Sequence, residues 1–118
     1  MAAFRMPSGA VVILTDGECL LIARRRRGES QAEAARRHGV SYQIYSAWEL
    51  GLETPPPAEV GELKTHERSY ILRRREGRRQ RDVARDMGVC PYTLRKMERG
   101  LVDAGPLMDY WNRLGETA

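Results

Sequence analysis

The sequence predicts an all-α protein made of two tandem copies of one unit, each of about four short helices. Three observations predict it. The chain repeats itself at a fixed offset. Glycines close the apolar segments at matching places in each repeat, and residues that cap helices stand in front of those segments. The length of 118 residues suits one ordinary domain or two very small ones.

Shifting the sequence by 49 residues lays Glu18–Leu52 over Glu67–Leu101 without a gap, and 14 of 35 positions are identical. The identical pairs include Arg24/Arg73, Gln31/Gln80, Gly39/Gly88, Val40/Val89, Glu49/Glu98 and Leu52/Leu101, and Pro57/Pro106 continues the register. Residues 1–14 are therefore read as an N-terminal arm, 15–64 as the first unit and 65–118 as the second.

Each element has a local reason. In the arm, Gly9–Leu14 (GAVVIL) is an apolar piece suited to a short strand. Thr15 or Asp16 caps the first helix, with Glu18 placed as in a capping box; Thr65 takes the Asp16 position in the second copy. These helices end at Gly28 and Gly77, because glycine adopts the left-handed conformation that follows a helix end. The next pair runs from about Ser30 to Gly39 and from about Arg79 to Gly88, with Ala34, Ala35 and His38, and Val83, Ala84 and Met87, each on one face. Val40 and Val89 follow the glycines and point inward. A short helix, a glycine turn and another helix make the helix-turn-helix plan. The third pair starts at the N-cap Ser41 and at Pro91 and ends at Gly51 and Gly100. Tyr45 and Trp48 form its inner face in the first copy, Leu94 and Met97 in the second. Pro57 and Pro106 each open an expected fourth helix, AEVGEL and LMDYWNRL, and Pro55–Pro57 form a stiff connector.

Composition narrows the function. Charged residues make up 31% and hydrophobic residues 42%, as in soluble globular chains. The longest apolar run, Ala10–Leu14, is far short of the ~20 residues of a membrane span, and no cleavable leader is expected. The net charge is +4, and eighteen of the twenty basic residues are Arg. The guanidinium fork fits phosphates and guanine edges, which suggests a nucleic-acid partner; by composition alone an Arg-rich solvated surface fits as well. Cys19, Cys90, His38 and His66 stand singly, so no metal site and no cofactor are expected, and a reducing cytoplasmic compartment fits. No nucleophile–base set and no phosphate-binding glycine loop is present, so no catalysis is expected.

The segment SQAEAARRHGVSYQIYSAWELG, residues 30–51, closely resembles the helix-turn-helix of the lambda-repressor-like (phage repressor/Cro, XRE-type) family. That motif runs from TQ-x-x-[LA]-A through G-[VT]-S to Trp or Leu followed by E-x-G. Residues 79–100, RQRDVARDMGVCPYTLRKMERG, resemble it too. They depart from it at Arg79, where Thr or Ser is usual, and at Cys90-Pro91, where Ser and a polar residue are usual.

The resemblance implies a sequence-specific DNA-binding regulator of transcription, most simply a repressor, in a bacterium, phage or mobile element and associated with the nucleoid. It implies base contacts from the N-terminal side of each third helix: Ser41, Tyr42, Gln43, Ser46 and Ala47 in one copy, and Cys90, Pro91, Tyr92, Arg95 and Lys96 in the other. Gln43 suits adenine; Arg95 and Lys96 suit guanine or phosphate. Gln31 and Gln80, with Arg79 beside the latter, fall at the family's phosphate-contacting helix start. Arg24/Glu49 and Arg73/Glu98 occupy its structural ion-pair positions. The other arginines of Arg24–Arg27 and Arg73–Arg75 are read as a solvated face.

Residues 68–101 carry eleven basic and four acidic side chains, residues 20–52 six and three. The second copy is therefore expected to supply more of the salt-dependent affinity. Ile44, Ala47 and Leu50 make the outer face of the first unusually apolar for a DNA reader, which leaves a protein-interaction module, such as an antiactivator, as the alternative, with RNA binding as a third reading. A homodimer is expected, through strand pairing of Gly9–Leu14 with its twin or through surplus apolar surface at Met108 and Tyr110. On that last helix Leu107, Trp111 and Leu114 form a stripe for the core.

Overall fold

The computed structural model describes residues 2–117, with side chains for 2–114. The chain is mainly helical. Among the described residues it has seven helices and one two-stranded sheet: β1 Ala3–Arg5, β2 Val11–Ile13, α1 Asp16–Arg27, α2 Gln31–His38, α3 Tyr42–Leu50, α4 Thr65–Glu76, α5 Gln80–Met87, α6 Pro91–Glu98 and α7 Gly105–Thr117. None of these helices is long and apolar enough to cross a membrane. The chain divides into two compact units: residues up to Phe4 with Val12–Glu62, and Arg5–Val11 with the residues from Leu63 onward.

In the first unit, three helices start on capping side chains. The Thr15 hydroxyl accepts Glu18 N–H at 3.1 Å while the Glu18 carboxylate accepts Thr15 N–H at 2.9 Å. Ser30 and Glu33 repeat the reciprocal box at 3.1 and 3.0 Å, and Ser41 Oγ accepts Ile44 N–H at 3.2 Å. Each such cap satisfies an amide that the helix itself leaves unpaired. All three helices stop at a left-handed glycine: Gly28, Gly39 and Gly51. Leu20, Ala34, Ala35 and Tyr45 make a core on which Val40, Trp48 and Ala58 pack.

Gly17 lets α1 lie directly on the end of α3. A Cβ there would stand 2.5 Å from Trp48 O and 2.9 Å from Glu49 O, both backbone atoms that cannot step aside. The equivalent residue of the second unit is His66, and the space for its ring is made at Gly100, where a Cβ would meet the imidazole at 2.7 Å.

The second unit starts its helices with fewer caps. Only the return half of the box survives in α4, Lys64 N–H to the Glu67 carboxylate at 2.9 Å; Arg79 and Cys90 give no side-chain cap. Packing compensates. Val83, Ala84, Leu94, Met97, Leu107, Tyr110 and Trp111 form a larger core, so Leu107 and Trp111 of α7 are spent inside the unit as their spacing suggested. Met108 and Tyr110, expected as surplus outer surface, are buried too.

Three expectations need correction. The first unit has three helices, because residues 57–62 form none. Gly61 sits at φ +59°, a left-handed conformation that a right-handed helix does not pass through. The segment is held instead by Arg26, which donates to Val60 O at 2.6 Å and to Glu62 O at 3.1 Å. That gives a structural task to an arginine read as solvated. The GAVVIL strand was expected to find its partner in a twin; one of its edges is taken by β1 inside the chain. Finally, the arm of residues 1–14 is not separate. Phe4 and Leu14 are buried in the first unit, whereas Met6 packs on the core of the second and Ser8 N–H donates to Asn112 Oδ1 at 3.2 Å.

The two units also differ by an exchange of charge at one shared contact. Glu29 and Arg37 pair at 2.9 Å in the first; the equivalent positions are Arg78 and Asp86, which pair at 3.1 Å in the second. Tyr110 adds its hydroxyl to Asp86 at 2.9 Å.

The tight contact at Gly17 makes a direct prediction. Gly17→Ala lowers stability by about 1–3 kcal/mol, the usual cost of overpacking a filled site, despite the better helix propensity of alanine. Urea unfolding checks it, and an unchanged or raised midpoint contradicts the close approach.

Candidate nucleic-acid interface

Each unit is held by the same buried cluster. In the first, Arg24 on α1 donates through Nε to Glu49 Oε2 at 2.7 Å and through a terminal nitrogen to Oε1 at 3.3 Å. Gln31, the first residue of α2, donates its amide to Glu49 Oε1 at 2.9 Å. Arg24 also reaches Glu29 O at 2.9 Å. The second unit repeats the pattern: Arg73 to Glu98 at 2.5 and 3.1 Å, Gln80 to Glu98 Oε1 at 2.8 Å, and Arg73 to Arg78 O at 3.1 Å. The side chain of Glu49 is fully buried and that of Arg24 is 13% exposed. A carboxylate in that position has to be paired on both oxygens, and the fork of Arg plus one amide does this. Burial and the Glu49 carboxylate together push the Tyr45 phenol up from its usual range.

Gln31 and Gln80 were expected to face phosphate. In both units the amide donates to the buried carboxylate, where an unpaired lone pair would be costly.

The remaining expected contact residues lie on the outer faces of α3 and α6. Ser41 is exposed, but its hydroxyl is committed to the cap. Tyr42 and Gln43 are exposed, and Ser46 and Ala47 are half-buried. In the second unit Pro91 fills the first helical turn without exposing an unpaired amide. Cys90 is exposed and lies 3.1 Å from Thr93 Oγ1; that hydroxyl and neighbouring amides hold the thiol below its usual range. Arg79 is exposed beside Asp82, 3.5 Å from its carboxylate.

The α6 face carries charge. Lys96 Nζ stands 4.6 Å from the centre of the exposed Tyr92 ring, a cation–π contact that orients the ammonium. Arg95 and Arg99 are both exposed. At 100° per residue, Tyr92, Arg95, Lys96 and Arg99 share an arc of about 100° on the outward side of α6. Arg99 was not singled out from the sequence. Under the 49-residue shift it lies over Leu50, Arg95 over Ser46 and Lys96 over Ala47. Three equivalent surface positions are thus neutral on α3 and cationic on α6. No group of three or more His, Cys, Asp and Glu side chains suited to a metal ion occurs among the described residues. Comparison with family models, curated proteins and solved structures returns no match.

The buried cluster sets an energetic expectation. Arg24→Met or Glu49→Leu each costs about 3–5 kcal/mol, because the partner is left charged and unpaired. The double change Arg24→Met with Glu49→Leu costs less than either. Denaturant unfolding of the four proteins forms a cycle; additive losses contradict the coupling.

Proposed function

We propose that this chain is a sequence-specific DNA-binding regulator of transcription with two tandem lambda-repressor-like helix-turn-helix units, and that the α6 face is its main DNA contact. The observation that carries this reading is the arc of Tyr92, Arg95 and Lys96 on one short helix with Arg99 at its C-cap. The major groove admits one α-helix, and its walls are lined by phosphates. Two guanidinium groups and an ammonium on the outward side of α6 serve both needs: bidentate donors for guanine edges, and cations for the backbone. Tyr92 offers an apolar body to a thymine methyl and a hydroxyl to phosphate.

The turn supports the same reading. α5 ends at the left-handed Gly88, Val89 packs back on the core, and α6 begins at Pro91. The recognition helix is therefore held by its inner face alone, and the outer face is free to enter a groove. Arg73–Glu98 fixes the C-terminal end of that helix from within, so no DNA-facing group is needed for architecture.

A second reading attaches to the first unit, whose α3 has an exposed face of the opposite character. Leu50 is exposed on it, Tyr42 and Ile44 are exposed on either flank, and Leu52 is exposed just past the helix end; no basic residue lies in the last turn of the helix. Such a face favours contact with protein.

DNA binding is tested by fluorescence anisotropy with a random-sequence duplex and with duplexes selected from a random library. Affinity falls steeply with salt, and Arg95→Ala or Lys96→Ala each reduces the slope of log affinity against log salt by about 1. Gln43→Ala leaves the slope unchanged. Selection returns an enriched motif. A salt-insensitive interaction, or a library without enrichment, overturns the reading.

A further inference from the structure

The two units present the same helix face with two different chemistries. On α6 the positions of Arg95, Lys96 and Arg99 make the face cationic; the equivalent positions on α3 are Ser46, Ala47 and Leu50. All three differences run in one direction. Around them on the first unit lie Tyr42 at 51% exposure, Ile44 at 40%, Leu50 at 60% and Leu52 at 76%. The only acid of α3, Glu49, is buried against Arg24. The outward side of α3 therefore carries no charge at all.

We propose that this α3 face is a self-association surface, and that its occupant is the α3 face of a second copy of this chain. Three features argue for that occupant. DNA is a poor fit, because a groove-entering helix without a cation cannot displace the counterions that supply most non-specific affinity. Two-fold pairing sets a face against itself, so any net charge would oppose its own kind; an uncharged face avoids that repulsion. The outward residues Gln43, Ala47 and Leu50 also recur at a spacing of four then three, the spacing at which helices meet along a seam. In a parallel pairing Leu50 meets Leu50 and Ala47 meets Ala47, and the Gln43 amides can hydrogen-bond to each other. The inference goes beyond DNA binding and does not depend on it. If both hold, a dimer carries two cationic α6 faces in one particle and binds DNA with the advantage of two linked contacts.

The second unit supplies the test variant. Ser46→Arg, Ala47→Lys and Leu50→Arg together copy onto α3 the residues that α6 tolerates in the same fold. Sedimentation equilibrium of the full chain, in low and in high salt, reads the oligomeric state. The wild-type chain dimerises at micromolar concentration, and high salt does not dissociate it, as expected of an apolar contact. The triple variant keeps its helical circular dichroism and associates at least about tenfold more weakly, since like charges now meet across the pair. Ile44→Lys, made alone, weakens association in the same direction without altering the seam. A wild-type chain that stays monomeric at submillimolar concentration overturns the proposal. So does a triple variant that dimerises as before, which would move the contact to another surface such as Val11 and Ile13. Anisotropy with the random duplex separates this outcome from DNA binding: loss of DNA affinity by the Leu50→Ala variant, with dimerisation intact, would make α3 a DNA face and not a pairing face.

Discussion

A buried carboxylate organises each unit. Glu49 sits at the end of α3 and Glu98 at the end of α6, and each takes hydrogen bonds from two other helices of its own unit. Sealing a carboxylate from water is unfavourable unless its lone pairs are filled. The fold fills them with an arginine from the first helix and a glutamine from the start of the second. The three helices of a unit are thereby fixed at one point by directional bonds, while the apolar contacts around that point tolerate substitution. This explains a pattern in the repeat. Arg, Gln and Glu are identical in both copies, whereas the core beside them changes from Tyr45 and Trp48 to Leu94 and Met97. It also explains how the outer face of the third helix can carry opposite chemistries on one scaffold: nothing on that face holds the helix in place.

Much of the helical framework was legible because its signals are local. Caps, left-handed glycines and the offset of 49 residues are properties of short stretches and of their repetition, and they place α1 to α6 closely. The failures have non-local causes. AEVGEL reads as a helix because Pro57 stands in register with Pro106, but its conformation is decided by Arg26, more than thirty residues earlier, donating to Val60 O. The strand Val11–Ile13 was visible, yet its partner β1 is three residues long and has no alternation to announce it. Met108 and Tyr110 looked surplus because a helical wheel cannot show that Ser69 of α4 and Asp86 of α5 reach them. The candidate contact faces were legible as positions. The inward turn of Gln31 and Gln80 was not, because an amide at a helix start has the same sequence signature whether it meets phosphate or carboxylate.

The differences between the copies are as informative as the identities. Gly17 and His66 occupy one position, and each comes with its own accommodation: bare backbone contact in one unit, space at Gly100 in the other. At Glu29–Arg37 and Arg78–Asp86 both members of a touching pair have changed together while the helical framework stayed the same. Surface positions on α3 and α6 have changed as well, Lys96 together with the Tyr92 ring that it stands over.

The exchanged ion pair has a consequence for how the chain reaches its native state. Two segments this alike, joined in one polypeptide, can trade helices while folding, a recurrent failure of repeat proteins. The shared Arg, Gln and Glu would not resist such a trade, since they fit either cluster equally. Glu29–Arg37 and Arg78–Asp86 would. With α5 in the place of α2, Asp86 would face Glu29; with α2 in the place of α5, Arg37 would face Arg78. Each wrong assembly sets like charges together at both sites, and each correct one sets opposite charges together. At a surface-exposed position the bias is modest, on the order of 1 kcal/mol per site, but it acts on every folding attempt and always in favour of self-matching halves.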